Sequence, residues 1–146
     1  MRLILFFALL SFCVGADLYV VNKDGSTSYS AIQDAIDSAS DGDTILVEAG
    51  TYPENIDFDG KDIILLSHFC YDESPDSTFL TSTIIVGHNG ENRGPVVTFD
   101  SGESTATLLC GFTIQNGYED STYSYGGGIR ICGWVCDYGR CTGVGY

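Results

Sequence analysis

The chain has 146 residues, of which 20 are acidic and 6 are basic, so its formal net charge is −14. Nucleic acids and anionic membranes bind proteins mainly through Lys and Arg, and this balance argues against both as partners. The length suits a single domain, and the acidic residues are scattered along the chain, which is typical of solvated faces and turns.

The first residues have the pattern of an export signal. A positively charged start, Met1-Arg2, precedes an apolar run from Leu3 to Phe12. That run is shorter than the roughly 20 residues needed to span a bilayer, and the small residues Val14 to Ala16 suit a cleavage site. We therefore expect residues 1–16 to be a signal peptide cut before Asp17. The mature protein would be secreted or on the cell surface, with no membrane insertion.

Cysteine usage bears on the same question, because export places the six cysteines where disulfides persist. Cys13 lies within the predicted signal. Lipid anchoring through it is the weaker alternative, since Phe12 stands where a lipobox requires a small residue. The cysteines that follow are Cys70, Cys110, Cys132, Cys136 and Cys141. Their odd number leaves one unpaired if the chain is complete.

The mature chain opens with a strand-like run, Leu18 to Val21, and continues with one amphipathic helix. The helix is predicted from Tyr29 to Ala39, because its apolar residues recur at steps of three and four, the spacing of one helix face. Thr27 or Ser28 is expected to cap its start, and Asp41-Gly42 to end it.

After the helix the pattern changes to short β-branched or apolar runs, each closed by Gly, Asn or Asp, and no second helix is predicted. Their spacing is near the period of a β-solenoid but irregular, and an antiparallel sandwich would give similar strands. The predicted strands are Thr44 to Val47, Asn55 to Phe58, Ile63 to Leu66, Thr83 to Val86, Val96 to Phe99, Thr107 to Ile114, and Gly128 to Ile131.

A solenoid would explain the single helix. The first coil of a solenoid has unpaired strand edges and uncovered apolar side chains, and a helix placed before that coil can cover them. Asn89-Gly90 and Asn116-Gly117 stand where coils would turn sharply, because Asn and Gly accept positive φ.

Longer stretches of the sequence resemble pectin-lyase-like right-handed parallel β-helix proteins. The run AIQDAIDSASDGDTILVEAGTYPENI is similar to the start of pectin methylesterases, where a helix leads into a strand and an AGTY-type turn. The run LLCGFTIQNGYEDSTYSYGGGI resembles repeats of large secreted bacterial β-helix proteins. The resemblance covers about Tyr19 to Ile131. It implies an all-β fold, a right-handed parallel β-helix with an N-terminal capping α-helix over residues 17–131.

The resemblance transfers no catalytic residue. Where the methylesterase pattern carries Gln-Ala-Val, this chain has Gly126 to Gly128, and Gln115 stands on the preceding strand. The coils that would bear the catalytic Asp and Arg residues are not present. Residues 132–146 depart from the repeat pattern, and we interpret them as an atypical tail left by truncation, a frameshift or fragmentation.

Two groups of side chains are candidate sites. Asp57, Asp59 and Asp62 cluster around Gly60, and calcium prefers several carboxylate oxygens from one loop. The spacing is not that of an EF-hand, and a tight turn between coils explains the same residues without a metal.

The second candidate is a group of tyrosines beside carboxylates, Tyr118, Tyr123 and Tyr125, a combination that binds sugars by ring stacking and hydrogen bonding. A loop that folds back on its own coil is the alternative. Among the cysteines, Cys70 is expected to be inert or in a disulfide, and Cys110 to pack in the core or against a cysteine of a neighbouring coil.

The leading hypothesis is an exported, non-catalytic β-helix segment that serves surface adhesion or polysaccharide contact. The expected partner is a polysaccharide or a cell-surface glycan, and calcium is the one candidate cofactor. Two alternatives stay open. The first is the N-terminal part of a pectin methylesterase or polysaccharide lyase without its catalytic coils, and the second is a structural envelope protein.

Overall fold

The structure is a computed structural model that describes residues 15–72, 76–88, 94–118 and 127–131. Most of the predicted signal and all of the predicted tail lie outside these residues. The described elements in chain order are β1 (Leu18–Val21), α1 (Ile32–Ser38), β2 (Thr44–Val47), β3 (Gly50–Tyr52), β4 (Ile56–Asp57), β5 (Ile64–Ser67), α2 (His68–Tyr71), α3 (Thr78–Ser82), β6 (Thr83–Val86), β7 (Val97–Phe99), β8 (Leu108–Cys110), β9 (Thr113–Gln115) and β10 (Ile129–Ile131).

The described strands form three sheets in which every pairing is parallel. The strand orders are β1-β2-β5-β8, β3-β6-β9 and β4-β7-β10. From β2 onward, consecutive strands join the first, second and third sheet in turn, and then the cycle repeats. The prediction of a mostly β fold with parallel strands is therefore confirmed, and the arrangement is like that of a parallel β-helix. The described strands do not form the antiparallel sandwich that their spacing had left open.

Three local features differ from the sequence prediction. Gly50–Tyr52 is a strand that was not predicted, and the run from Thr107 to Ile114 divides into β8 and β9 at Gly111. Gly111 has φ +90° and lies against the side chain of Ser67, so a larger residue would be both strained and too close. The prediction of a single helix is wrong, because α2 and α3 follow β5. The Ser67 hydroxyl accepts a hydrogen bond from the Phe69 N–H and so caps α2.

Apolar side chains between the sheets form one core. Each fully buried residue of this kind stabilises the fold by about 1.5–3 kcal/mol. Phe58 packs on Phe99 with ring centroids 4.3 Å apart, which joins β4 to β7. The largest buried side chains are Tyr52, Phe58, Ile32, Ile36, Ile45, Ile56, Ile63, Leu65 and Ile85.

Helix α1 is shorter than predicted and starts without the predicted cap. Tyr29 pairs with Val21 in an isolated parallel bridge, which holds the chain extended until the helix begins. The N-cap residue makes no side-chain hydrogen bond. Instead, the Glu54 carboxylate accepts from Ile32 N at 3.0 Å and from Gln33 N at 2.9 Å. The acceptor for the first turn thus comes from the loop after β3. The carboxylate pairs with free N–H groups of the helix start, and its negative charge suits the positive end of the helix dipole.

The C-terminal end of α1 is held by a residue of the loop between β4 and β5. Lys61 Nζ donates to the carbonyls of Ile36 and Asp37, each at 2.8 Å. A cation at this position satisfies free helix carbonyls and suits the negative end of the helix dipole.

Gln33 joins the helix to the free edge of β4. Its Nε2 donates to the Asp57 carbonyl at 3.1 Å, and its Oε1 accepts from the Asp57 N–H at 2.9 Å. The side-chain amide therefore makes the two hydrogen bonds that a neighbouring strand would make. Ile32, Ala35 and Ile36 are buried in the core, so the apolar face of α1 packs there.

Replacing Gln33 tests this edge contact. We expect Gln33→Ala to lower the free energy of unfolding by about 1–3 kcal/mol, because the backbone polar groups of Asp57 lose their partners. Urea unfolding followed by circular dichroism measures the change. Asp34→Ala, an exposed position on the same helix, is the matched control and should change stability by less than about 0.5 kcal/mol. Equal effects of the two substitutions would refute the edge-pairing role.

Cys70 of α2 and Cys110 of β8 form a disulfide across 40 residues of sequence. This pairing agrees with the expectation that Cys110 meets a cysteine of a neighbouring coil. It ties the helix that follows β5 to the next strand of the same sheet. The remaining cysteines after the predicted signal lie outside the described residues.

Removing the disulfide should cost substantial stability. For a loop of this length the chain-entropy model gives about 4 kcal/mol for the double variant Cys70→Ala/Cys110→Ala. Urea unfolding with and without reductant measures it. Reductant should shift the midpoint of the wild-type chain and leave that of the double variant in place. A wild-type urea midpoint that is unchanged after complete reduction would contradict the prediction.

Candidate functional site

The acidic residues after β4 form a tight turn. The Asp57 carboxylate accepts from the Asp59 N–H at 2.9 Å, and Asp59 and Gly60 adopt positive φ of 52° and 75°. A Cβ at Gly60 would lie 2.9 Å from the Ser101 carbonyl, so glycine is needed for space as well as conformation. These are the properties of an Asx turn, the structural alternative that the sequence had left open.

Asp62 leaves this turn and binds the loop before β8. Its two carboxylate oxygens accept from the Ser104 N–H and hydroxyl, each at 2.6 Å, and from the Thr107 hydroxyl at 3.0 Å. The hydrogen bonds from Ser104 lower the pKa of Asp62. This carboxylate is therefore engaged by the protein itself.

The three acidic residues do not form a ready metal site. In the part of the chain that the structure describes, no group of three or more His, Cys, Asp or Glu side chains is arranged to hold a metal ion. Calcium at Asp57, Asp59 and Asp62 stays a prediction from sequence.

A polar row crosses the third sheet next to this turn. Asp57, Thr98 and Arg130 are register partners on β4, β7 and β10. Burial raises the pKa of Asp57, and the nearby charges of Asp100 and Glu103 act in the same direction. Arg130 pairs with Asp100 at 2.9 Å. The row offers carboxylate, hydroxyl and guanidinium groups side by side, which suits hydrogen bonding to a polyhydroxylated ligand.

Of the three predicted sugar-contact tyrosines, the structure places one. Tyr118 is 45% exposed, and its backbone N–H donates to the Gly94 carbonyl at 3.0 Å. It follows β9 after Asn116, whose φ of 58° agrees with the turn predicted there. Tyr123 and Tyr125 lie outside the described residues.

A charged cluster that the sequence did not predict surrounds His68. Its Nε2 lies 3.1 Å from Glu48 Oε2, and its Nδ1 lies 3.2 Å from Asp72 Oδ2. The Phe79 ring packs on the imidazole with centroids 5.3 Å apart. Burial acts to lower the pKa of His68, but the two carboxylates outweigh it, so that the pKa is raised. His68 and Asp72 are four residues apart, a spacing that brings side chains together on a helix. The pair was not predicted because helix α2 was not predicted.

Comparison with solved structures gives a distant likeness. No family model matches the chain, and no curated protein does. Among solved structures, it is similar to a pectin methylesterase from carrot, with 21% identity over 80% of this chain and a TM-score of 0.46. The chain spans 42% of that protein, less than half its length. A likeness at this level assigns neither a family nor an activity.

None of the helices in residues 15–72, 76–88, 94–118 and 127–131 is both long and apolar enough to cross a bilayer.

The His68 cluster should make stability depend on pH. Because the folded pKa is raised, protonated His68 stabilises the fold below its unfolded pKa of about 6.5, and this contribution is lost as pH rises through the folded pKa. His68→Gln should therefore cost more stability near pH 5.5 than near pH 9. Urea unfolding at both pH values measures the difference.

The exposed histidine of the chain supplies the control for this test. His88→Gln removes a histidine whose side chain lies on the surface, and it serves as the reference for the pH slope of His68→Gln. Equal pH slopes for the two variants would contradict a stabilising role of the carboxylate pair.

Proposed function

We propose that this chain is the exported N-terminal start of a right-handed parallel β-helix protein, and that it serves surface adhesion or polysaccharide contact without catalysis. The observation that carries the proposal is the cyclic strand order, in which every circuit from β2 onward adds one parallel strand to each of three sheets. Parallel strands of one sheet are joined by right-handed connections in about 98% of cases, which supports the right-handed assignment.

Stacked circuits of this kind suit a rigid binding surface. Each circuit contacts mainly its neighbours, so side chains at matching positions form rows along the stack. The row of Asp57, Thr98 and Arg130 is of this type. Such rows repeat polar groups at the strand spacing of about 4.8 Å, close to the scale on which sugar units present their hydroxyls.

The disulfide supports export. Disulfides persist in secreted and surface proteins and are rare where the cytosol keeps thiols reduced. The Cys70–Cys110 bridge joins α2 to β8, and it accords with the signal predicted at residues 1–16.

Tyr118 and the acidic surface support a glycan as the ligand. An exposed aromatic ring beside hydrogen-bonding groups can stack on a sugar face. The formal net charge of −14 repels polyanions, so we expect neutral polysaccharides to bind better than polyuronates. The Asp57 carboxylate accepts a hydrogen bond within its own turn, and the Asp62 carboxylate accepts from the loop before β8, so we do not propose a catalytic role for either.

A binding screen tests the proposal. The exported chain is titrated with neutral glucans, de-esterified pectin and methyl-esterified pectin, and we expect binding to a neutral polysaccharide. Tyr118→Ala should raise its Kd roughly 2- to 10-fold, the equivalent of a lost aromatic contact. Tyr71→Ala is the matched control, since Tyr71 is exposed to 46% against 45% for Tyr118.

Two outcomes would overturn the proposed function. Release of methanol from methyl-esterified pectin would make the chain an enzyme. Failure to bind any of the polysaccharides would leave a purely structural role.

A further inference from the structure

Asp43 is a buried carboxylate directly before β2, with only 2% of its surface exposed. Its Oδ1 accepts from the Asp17 backbone nitrogen, and its Oδ2 accepts from the Ser40 N–H, both at 2.8 Å. Among the described residues, the ion pairs join His68 or Arg130 to other carboxylates, and none reaches Asp43. A buried charge held only by neutral donors is costly to the fold.

The Asp17 nitrogen is held at this carboxylate by the first sheet. The Asp17 carbonyl accepts from the Thr44 N–H at 2.9 Å, and the next residue, Leu18, is the register partner of Thr44. Gly15 and Ala16 are exposed. The strand therefore fixes the nitrogen beside the carboxylate, while the preceding peptide bond lies at the surface.

We infer that cleavage between Ala16 and Asp17 creates an α-ammonium group that forms an ion pair with the Asp43 carboxylate at the start of the first sheet. Water adds across the peptide bond, Ala16 leaves as a carboxylate, and the Asp17 nitrogen takes up a proton to become an α-ammonium group. The neutral hydrogen bond to Asp43 Oδ1 is thereby replaced by a partly buried ion pair, which is stronger. This inference rests on the export that the proposed function includes.

The position of the cut decides whether the pair forms. The α-ammonium reaches Asp43 only if Asp17 is the first residue, because one additional residue restores a neutral amide at that place. A cut one or more residues later would remove the Asp17 nitrogen from the end of the strand. A chain cut before Asp17 therefore differs from chains cut at adjacent peptide bonds by one positive charge beside Asp43.

The cut is tested first, by N-terminal sequencing and intact mass of the exported chain. We expect the mature chain to begin at Asp17. Another start, or retention of residues 1–16, would refute the cleavage and the signal prediction with it. Polysaccharide binding is a separate measurement, so this result and the proposed ligand fail independently.

The pair is tested by comparing the chain that begins at Asp17 with the same chain retaining Ala16. At pH 7 the chain with the free Asp17 amine should have a Tm higher by roughly 2–6 °C, the shift expected for about 1 kcal/mol in a domain of this size. Asp43→Asn should abolish this difference. Asp59→Asn should preserve it, since it removes an exposed carboxylate at a positive φ that Asn accepts equally well.

The pH dependence provides a second readout. An unpaired α-amino group titrates near 7.7–8.0, and pairing raises that value, so the Tm difference should vanish as pH rises well above this range. The other titratable groups at this place are the Asp17 carboxyl and the Tyr19 phenol, whose pKa is raised by partial burial and by the charges of Asp43 and Asp17. The raised pKa keeps the Tyr19 phenol neutral between about pH 6 and 9.

Chemical reactivity of the amine gives a third readout that does not depend on stability. Acylation of the Asp17 α-amine at pH 8, followed by mass spectrometry, should be slower in the wild-type chain than in Asp43→Asn, because pairing lowers the fraction of unprotonated amine. Equal Tm values with and without Ala16, or a difference that persists in Asp43→Asn, would overturn the ion pair. If Asp43→Asn does not fold, the Ala16 comparison across pH decides the matter with the native carboxylate.

Discussion

A sheet of parallel strands leaves its outermost strand with a free edge, and the structure depends on how the edge of β4 is satisfied. Here the edge of β4 is completed by one glutamine side chain, whose amide donates to and accepts from the Asp57 backbone. Glu54 and Lys61 hold the two ends of the helix that carries this glutamine. Glu54 lies in the loop before β4 and Lys61 in the loop after it. The residues on either side of β4 therefore hold in place the helix that pairs with its edge.

Several acidic residues in the described part of the chain accept hydrogen bonds from backbone N–H groups of loops. Glu103 accepts from Gly60 and Ser101, and Asp62 accepts from Ser104, so the loops of successive circuits are joined by carboxylates. A carboxylate that accepts several N–H groups satisfies loop backbone that no strand can pair. The acidic composition thus has a structural explanation alongside any role in binding.

The elements on the far side of the first sheet are joined by different means. A disulfide ties α2 to β8, and the pairing of His68 with Glu48 ties α2 to the residue that follows β2. Short helices have little stability of their own, so such contacts supply what hydrogen bonding within one turn cannot. The same reason explains why the periodicity of the sequence did not predict them.

The sequence alone determined the strands with β-branched runs, including Leu18–Val21, Thr44–Val47 and Thr83–Val86, and the apolar face of α1. These are local properties, set by residue type and spacing. The parallel pairing was predicted only through the family resemblance. Only the tertiary structure decided the helix start at Ile32 under Glu54, the contact of Asp43 with the Asp17 nitrogen, and the pairing of His68 with Glu48. Each of these joins residues 20 or more positions apart. Such contacts depend on how the circuits stack, and local spacing carries no record of that.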